Sequence, residues 1–208
     1  MRYYFTPINA FLYMNLISII FKSISLSTVV MKEWKPHIES IKGDIHRYFL
    51  REAYSYAWEN SPDLSTKAGA LIVGASLDEV IAYGTNRFPE GLTPTDAQIG
   101  DRQWKYEHII HAEHSAIFSA AAKGGKPTEG AVMYMPWVPC TPCAKAIISA
   151  GIKTLISHRE LVMKTPERWW TNTNYALDLL ELCGVKKFMY EGKIGDVKGL
   201  FDGSQWYP

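Results

Sequence analysis

Four residues in two short segments have the types and spacing to do chemistry. The first segment reads His111-Ala112-Glu113 and the second Pro139-Cys140-Thr141-Pro142-Cys143. Thiolates and imidazoles are preferred zinc ligands, and His111, Cys140 and Cys143 supply three. Three protein ligands leave the fourth tetrahedral position open, as in catalytic zinc sites, whereas structural sites are normally closed by a fourth. The only other cysteine, Cys183, lies forty residues beyond Cys143 and reads as a core thiol beside Leu179 and Leu182. Glu113, two residues from His111, can sit beside a metal without binding it. A carboxylate so placed takes a proton from water and hands it on, and it also favours a helix start electrostatically. Cys-x-x-Cys alone is equally a redox signal. The upstream His-x-Glu decides for zinc, one catalytic ion per chain. His108 and His114 flank the motif and read as structural or loop residues.

Both segments stand where a helix should begin. Free N–H groups and the positive dipole end there stabilise thiolates, and Pro139 and Pro142 suit a first turn that has no N–H partners to lose. Residues 112–122 are small, apolar and helix-favouring and end at Gly124-Gly125. Residues 144–150 form a second helix ending at Gly151. Upstream, Asp44 caps a helix with apolar positions at Ile45, Tyr48, Phe49, Ala53, Tyr56 and Ala57, stopped by Asn60-Ser61-Pro62. Residues 70–73 and 80–83 read as a hairpin. Residues 86–107 form a long irregular connection of the kind that usually serves function. Strands at 131–135, 154–157 and 185–190 alternate with helices, the last of these at 168–183. That alternation predicts an α/β sandwich with helices on both faces.

Composition bounds the class. The chain has 208 residues, 47% hydrophobic and 21% charged, with a net charge of +1, which excludes fibrous and disordered classes. Three cysteines do not frame a secreted disulfide module and point to a reducing compartment, the cytoplasm. The first thirty residues differ from the rest. They hold Arg2 and Lys22 and no acid, so residues 31–208 carry 20 basic and 21 acidic groups. Tyr3 to Phe21 is uncharged but contains Pro7, Asn9 and Asn15, a poor membrane span. Residues 1–30 read as an extension outside the native chain, an anchor or a targeting segment, and residues 31–208 as one domain. A charge so near zero disfavours a nucleic-acid backbone as partner.

His-x-Glu followed by Pro-Cys-x-x-Cys is the signature of zinc deaminases. The chain resembles the cytidine and deoxycytidylate deaminase family over roughly residues 44–190. Residues 63–73, Gly84-Thr85-Asn86-Arg87-Phe88-Pro89-Glu90-Gly91, residues 101–106, residues 143–152 and Arg168-Trp169 carry that likeness. The resemblance implies a three-layer α/β/α sandwich with a five-stranded mixed sheet. It implies hydrolytic deamination of dCMP to dUMP with release of ammonia, supplying dTMP synthesis. It assigns zinc to His111, Cys140 and Cys143, proton transfer to Glu113, a sugar contact to Asn86 and the pyrimidine edge to the backbone of Ala112. It also implies homo-oligomers and dCTP or dTTP as effectors.

Two positions depart from the family pattern. Ser115 stands where an Asn is common, and Arg87 replaces a Gly beside the substrate loop, adding a cation that can grip phosphate. Arg102, Lys105 and Arg168 are further phosphate candidates. No cysteine lies between Gly69 and Pro139 to hold a second zinc. Trp169-Trp170 reads as packing rather than as a base-stacking pair. Two other functions fit the same zinc site: deamination of another cytosine compound, adenosine or guanine, and a non-catalytic zinc-bearing nucleotide-binding module.

Overall fold

The computed structural model describes residue 34 and residues 36–208, apart from 123 and 126. Residues 1–30, expected to be an extension, anchor or targeting segment, lie outside the described residues. Residues 36–208 form one compact unit.

Among the described residues six strands build the main sheet: β1 (Glu39–Ile41), β2 (Gly69–Val73), β3 (Val80–Thr85), β4 (Val132–Tyr134), β5 (Thr154–His158) and β6 (Lys186–Tyr190), in the order β1-β6-β5-β4-β2-β3. From β1 through β6 and β5 to β4 the pairing is parallel, and β2 is antiparallel to both β4 and β3. The three-layer sandwich holds, with six strands rather than the expected five. The extra strand, β1, is three residues long and largely exposed, held by its pairing with β6. It is too short to show an alternating pattern.

Helix α1 (Asp44–Asn60) covers one face of the sheet. Its Phe49, Leu50, Ala53 and Tyr54 pack on Leu71, Val73, Tyr134 and Ile156. The buried stripe is turned from the expected one: Leu50 and Tyr54 are buried while Ile45 and Tyr48 are exposed. Asp44 is the first helical residue and pairs with Arg47 at 3.0 Å, leaving Gly43 as the cap. Helices α4 (Ala112–Ala122), α5 (Thr141–Ser149) and α7 (Glu167–Leu182) cover the other face. There the alternate strand residues Ala70, Ile72, Met133 and Leu155 are buried.

Residues 86–107 are less irregular than expected. They contain α2 (Asp96–Gly100) and α3 (Arg102–His108). Thr95 and Gln98 form a reciprocal capping box, and Asp101 accepts from the backbone N–H groups of Gln103 and Trp104. A short α6 (Arg159–Met163) follows β5, and a separate hairpin pairs β7 (Gly199–Phe201) with β8 (Ser204–Trp206). Cys183, expected in the core, is exposed. The inward stripe of α7 is Thr173, Ala176, Leu177 and Leu180, and the helix ends at Leu182 before turning Cys183 inward. Among the described residues no helix is long and apolar enough to cross a membrane.

Two glycines set how closely the layers approach. A Cβ on Gly69 would lie 2.1 Å from the Ala53 carbonyl of α1, and one on Gly84 would lie 2.2 Å from the Ala116 nitrogen of α4. Gly84 therefore fixes where the helix carrying Glu113 rests on β3. Gly84→Ala should lower the unfolding free energy by about 3 kcal/mol, the upper part of the overpacking range. Gly100→Ala, with no atom within 4 Å of the added carbon, should be neutral or slightly stabilising. Thermal unfolding of the two variants checks this, and equal melting temperatures would contradict it.

Candidate active site

The topology brings the two motifs to one edge of the sheet. Because β3 and β4 are both antiparallel to β2, they run in the same direction and end on the same side. Asn86 follows β3 there, and the segment from Met135 to Cys140 follows β4. A cavity at this edge is lined by Asn86, His111, Ala112, Glu113, Met135, Trp137 and Cys140, among others. Crevices outside the carboxyl ends of strands are the usual ligand sites of α/β sheets.

As expected, His111 immediately precedes α4, and Cys140 is the residue before α5, with a proline in that helix's first turn. His111 Nδ1 lies 3.3 Å from Cys140 Sγ and 3.4 Å from Cys143 Sγ. All three donor atoms fall within 4.8 Å of one another. A tetrahedral ion with Zn–S of about 2.3 Å and Zn–N of about 2.0 Å would hold its nitrogen and sulfur ligands about 3.5 Å apart. The donor set and its spacing fit zinc.

The electrostatics of the cluster are strongly coupled. The contact with Cys140 lifts the His111 imidazole to about 9, against the pull of burial. The Cys140 thiol, held low by the neighbouring Cys143 and by its contact with His111, falls to about 4. Cys143 is pushed up by the neighbouring Cys140 and by burial. Burial also raises the Glu113 carboxyl, and the charge of His111 opposes that rise. Glu113 is 5% exposed and within electrostatic reach of His111, Cys140 and Cys143, so it stands beside the donor set inside the protein. His114 is nearer than a loop residue need be: its Nδ1 lies 3.7 Å from Cys143 Sγ and its ring stacks on Phe118.

Asn86 is a fixture of the cavity wall. Its amide oxygen accepts from Ser61 Oγ at 2.6 Å and the Ala68 N–H at 2.9 Å. Its Nδ2 donates to the Thr66 carbonyl at 2.8 Å and to Asp63 Oδ2 at 3.2 Å. Both donor and both acceptor positions of the amide are engaged, so its contribution is to fix the 61–68 loop. Ala112 is fully buried on the cavity wall.

Arg87, expected as a cation beside the substrate, is not among the cavity-lining residues. Its Nε donates to Ser115 Oγ at 2.9 Å, and its guanidinium also reaches the Phe88 carbonyl. The two departures from the family pattern thus meet each other, a hydroxyl accepting from the guanidinium that replaces a glycine. Lys105 is not an exposed cation either. It is buried and bonds Asp63 at 2.9 Å and Ser65 Oγ at 2.8 Å. Arg102 and Arg168 do line the cavity.

Much of the remaining wall carries no signal in the sequence. Trp137 and Phe201 line it, and Trp169 does as well, set edge-on to Trp137 at 5.8 Å and to Tyr106 at 5.8 Å. The expected packing pair Trp169-Trp170 is thus divided: Trp170 instead donates Nε1 to the Thr165 carbonyl. The wall residues lie far apart in sequence, and no local spacing links them.

Comparison with known proteins agrees with this geometry. The sequence model described as the cytidine and deoxycytidylate deaminase zinc-binding region matches residues 44–159. Deoxycytidylate deaminase of Mus musculus is 35% identical over 166 residues, 77% of this chain and 88% of that protein. The enzyme of the same name from Enterobacteria phage T4 is 37% identical over 134 residues, 64% of this chain and 63% of that protein. The crystal structure of dCMP deaminase from the cyanophage S-TIM5 in complex with dCMP and dUMP superposes with a TM-score of 0.54 at 20% identity. It covers 73% of this chain and 99% of that one, and shares its fold. The chain belongs to the cytidine and deoxycytidylate deaminase family of zinc-binding deaminases.

Proposed function

We propose that the protein hydrolyses dCMP to dUMP and ammonia in this cavity. The observation that carries the reading is the meeting of a His-Cys-Cys donor set with a buried carboxylate that is not part of it, with His111, Cys140 and Glu113 together on one cavity wall. Zinc held by His111, Cys140 and Cys143 supplies a Lewis acid that makes water nucleophilic at neutral pH.

The remaining steps belong to the chain's own residues. Water attacks C4 of the cytosine, and Glu113 receives the proton it sheds and delivers it to N3. Glu113 then moves the second proton to the amine as the C4–N bond breaks and ammonia leaves. A carboxyl raised by burial suits both accepting and returning a proton. The backbone of Ala112 borders the pyrimidine, and Asn86 holds the sugar-side wall. The perpendicular rings of Trp137 and Trp169 supply apolar surface that excludes water.

Residues 31–208 are read as the deaminase domain. The unpaired thiols Cys140, Cys143 and Cys183 suit a cytoplasmic setting. Family resemblance supports assembly into homo-oligomers and control by dCTP or dTTP.

A panel of dCMP, CMP, cytidine, deoxycytidine and dCTP, followed by ultraviolet absorbance and ammonia release on zinc-loaded protein, tests the reading. The expected result is turnover of dCMP well above the others. Turnover of none of them would end it.

A further inference from the structure

The cavity lined by His111, Glu113 and Cys140 is also lined by Lys67, Arg102, Lys105 and Arg168, four cations among the described residues. Two of these are engaged inside the protein. Lys105 bonds Asp63 and Ser65, and Lys67 bonds the carbonyls of Trp58 and Ser61. The other two, Arg102 and Arg168, share one carboxylate oxygen. Arg168 Nη2 lies 2.5 Å and Arg102 Nη2 3.8 Å from Asp202 Oδ1. All three side chains are partly exposed, at 39%, 60% and 43%. Two positive charges on one negative charge leave an excess of one at the cavity mouth.

Asp202 reaches this position because the hairpin forces it there. Residues Asp202 and Gly203 connect β7 to β8 with φ of 49° and 80°, the positive values of a two-residue I′ turn. The tip is fastened to the 61–68 loop. Asp202 N–H donates to Thr66 Oγ1 at 3.1 Å, Gly203 N–H to the Ser65 carbonyl at 2.8 Å, and Lys67 N–H to the Leu200 carbonyl at 2.9 Å. Both Arg168 and Asp202 lie beyond residues 44–159, the part matched by the family description.

We propose that Asp202 is an internal stand-in for the substrate's 5′-phosphate, neutralising Arg102 and Arg168 until a nucleoside monophosphate replaces it. This rests on the reading of the cavity as a nucleotide site. A carboxylate holds the two guanidinium groups side by side in the free protein, where their mutual repulsion would otherwise part them. A phosphate carries up to twice the charge and three acceptor oxygens, which match paired guanidinium forks better than one shared oxygen does. Exchange of Asp202 for phosphate requires only that the exposed side chains rotate, because the turn is held through its backbone. Asp202 therefore sets how strongly the phosphate is felt, and the two arginines set that it is felt at all.

The test compares zinc-loaded wild type, Asp202→Asn, Arg102→Gln and Arg168→Gln on dCMP and deoxycytidine. Asn-Gly is itself a favoured I′ turn, so Asp202→Asn removes the charge and keeps the hairpin. The expected KM for dCMP falls severalfold in Asp202→Asn and rises at least tenfold in Arg168→Gln, with a smaller rise in Arg102→Gln. Deoxycytidine kinetics should be unchanged in all three. Added salt should raise the wild-type KM for dCMP and leave that for deoxycytidine alone. An unchanged or raised KM for dCMP in Asp202→Asn overturns the stand-in role. A dCMP preference that survives Arg168→Gln overturns the phosphate site. Calorimetric titration with dUMP and deoxyuridine reads the same interactions without turnover. Arginine-dependent dUMP binding with no deamination would sink the reaction assignment and keep this proposal. Deamination of dCMP and deoxycytidine alike in every variant would do the reverse.

Discussion

Glu113→Gln should lower kcat on dCMP by about 10⁴-fold, the upper end of what one general acid–base group contributes, with zinc content unchanged. Glutamine keeps the length and nearly the volume of the side chain, so the buried site at the start of α4 keeps its packing. It can still accept and donate hydrogen bonds, but it can neither take up the proton shed by water nor return one. Both proton movements of the reaction pass through the same carboxylate, which is why the loss should approach the top of the range. Because Glu113 is outside the donor set of His111, Cys140 and Cys143, metal binding should survive. Glu113→Asp retains the chemistry but draws the carboxyl back by one methylene, and should fall between the two. Steady-state kinetics with metal analysis on the same preparations checks this. A glutamine variant with a tenth of wild-type activity would show that the proton passes elsewhere.

Cys143→Ala should abolish zinc retention and activity together, reducing turnover to background. Cys143 is fully buried, 3.4 Å from His111 Nδ1, and its removal leaves two donors where a catalytic zinc site needs three. Zinc bound to the folded state alone also stabilises the fold in proportion to the logarithm of its concentration over Kd. The variant should therefore melt at a lower temperature than zinc-loaded wild type, and added zinc should not raise it. Wild type treated with a chelator should lose activity and regain it on addition of zinc, whereas the variant should not respond. Full zinc occupancy in Cys143→Ala would require another residue to take the third ligand position, and His114, whose Nδ1 is 3.7 Å from the same sulfur, would be the residue to examine.

The donor set was readable in the sequence because its chemistry is local. His111 and Glu113 share one helix start, Cys140 and Cys143 another, and helix starts announce themselves through prolines and runs of small residues. Strands β2 to β6 were readable for the same reason, as apolar runs between turn residues. What escaped is short, tertiary or both. Strand β1 exists because β6 has a free edge, and nothing within Glu39–Ile41 demands it. The capping residues Thr95, Gln98 and Asp101 did carry a signal for α2 and α3, overshadowed by the prolines and glycines around them. The Asp202-Gly203 turn was likewise visible as a hairpin signal. Cys183 misled because its neighbours Leu179 and Leu182 look like a stripe, although the helix buries the adjacent one. Arg87 misled in a different way. A cation beside a substrate loop suggests a phosphate grip, and only the fold reveals that Ser115, 28 positions later, takes its hydrogen bond.

The central claim is that water, Glu113 and the His-Cys-Cys donor set replace the amine of a cytosine nucleotide with oxygen. A limited turnover of dCMP in water enriched in oxygen-18, read by mass spectrometry of the dUMP formed, tests this most directly. The predicted result is dUMP carrying one labelled oxygen on its base, with one ammonia released per dUMP. Unlabelled product, or dCMP left intact by the zinc-loaded protein, would contradict it.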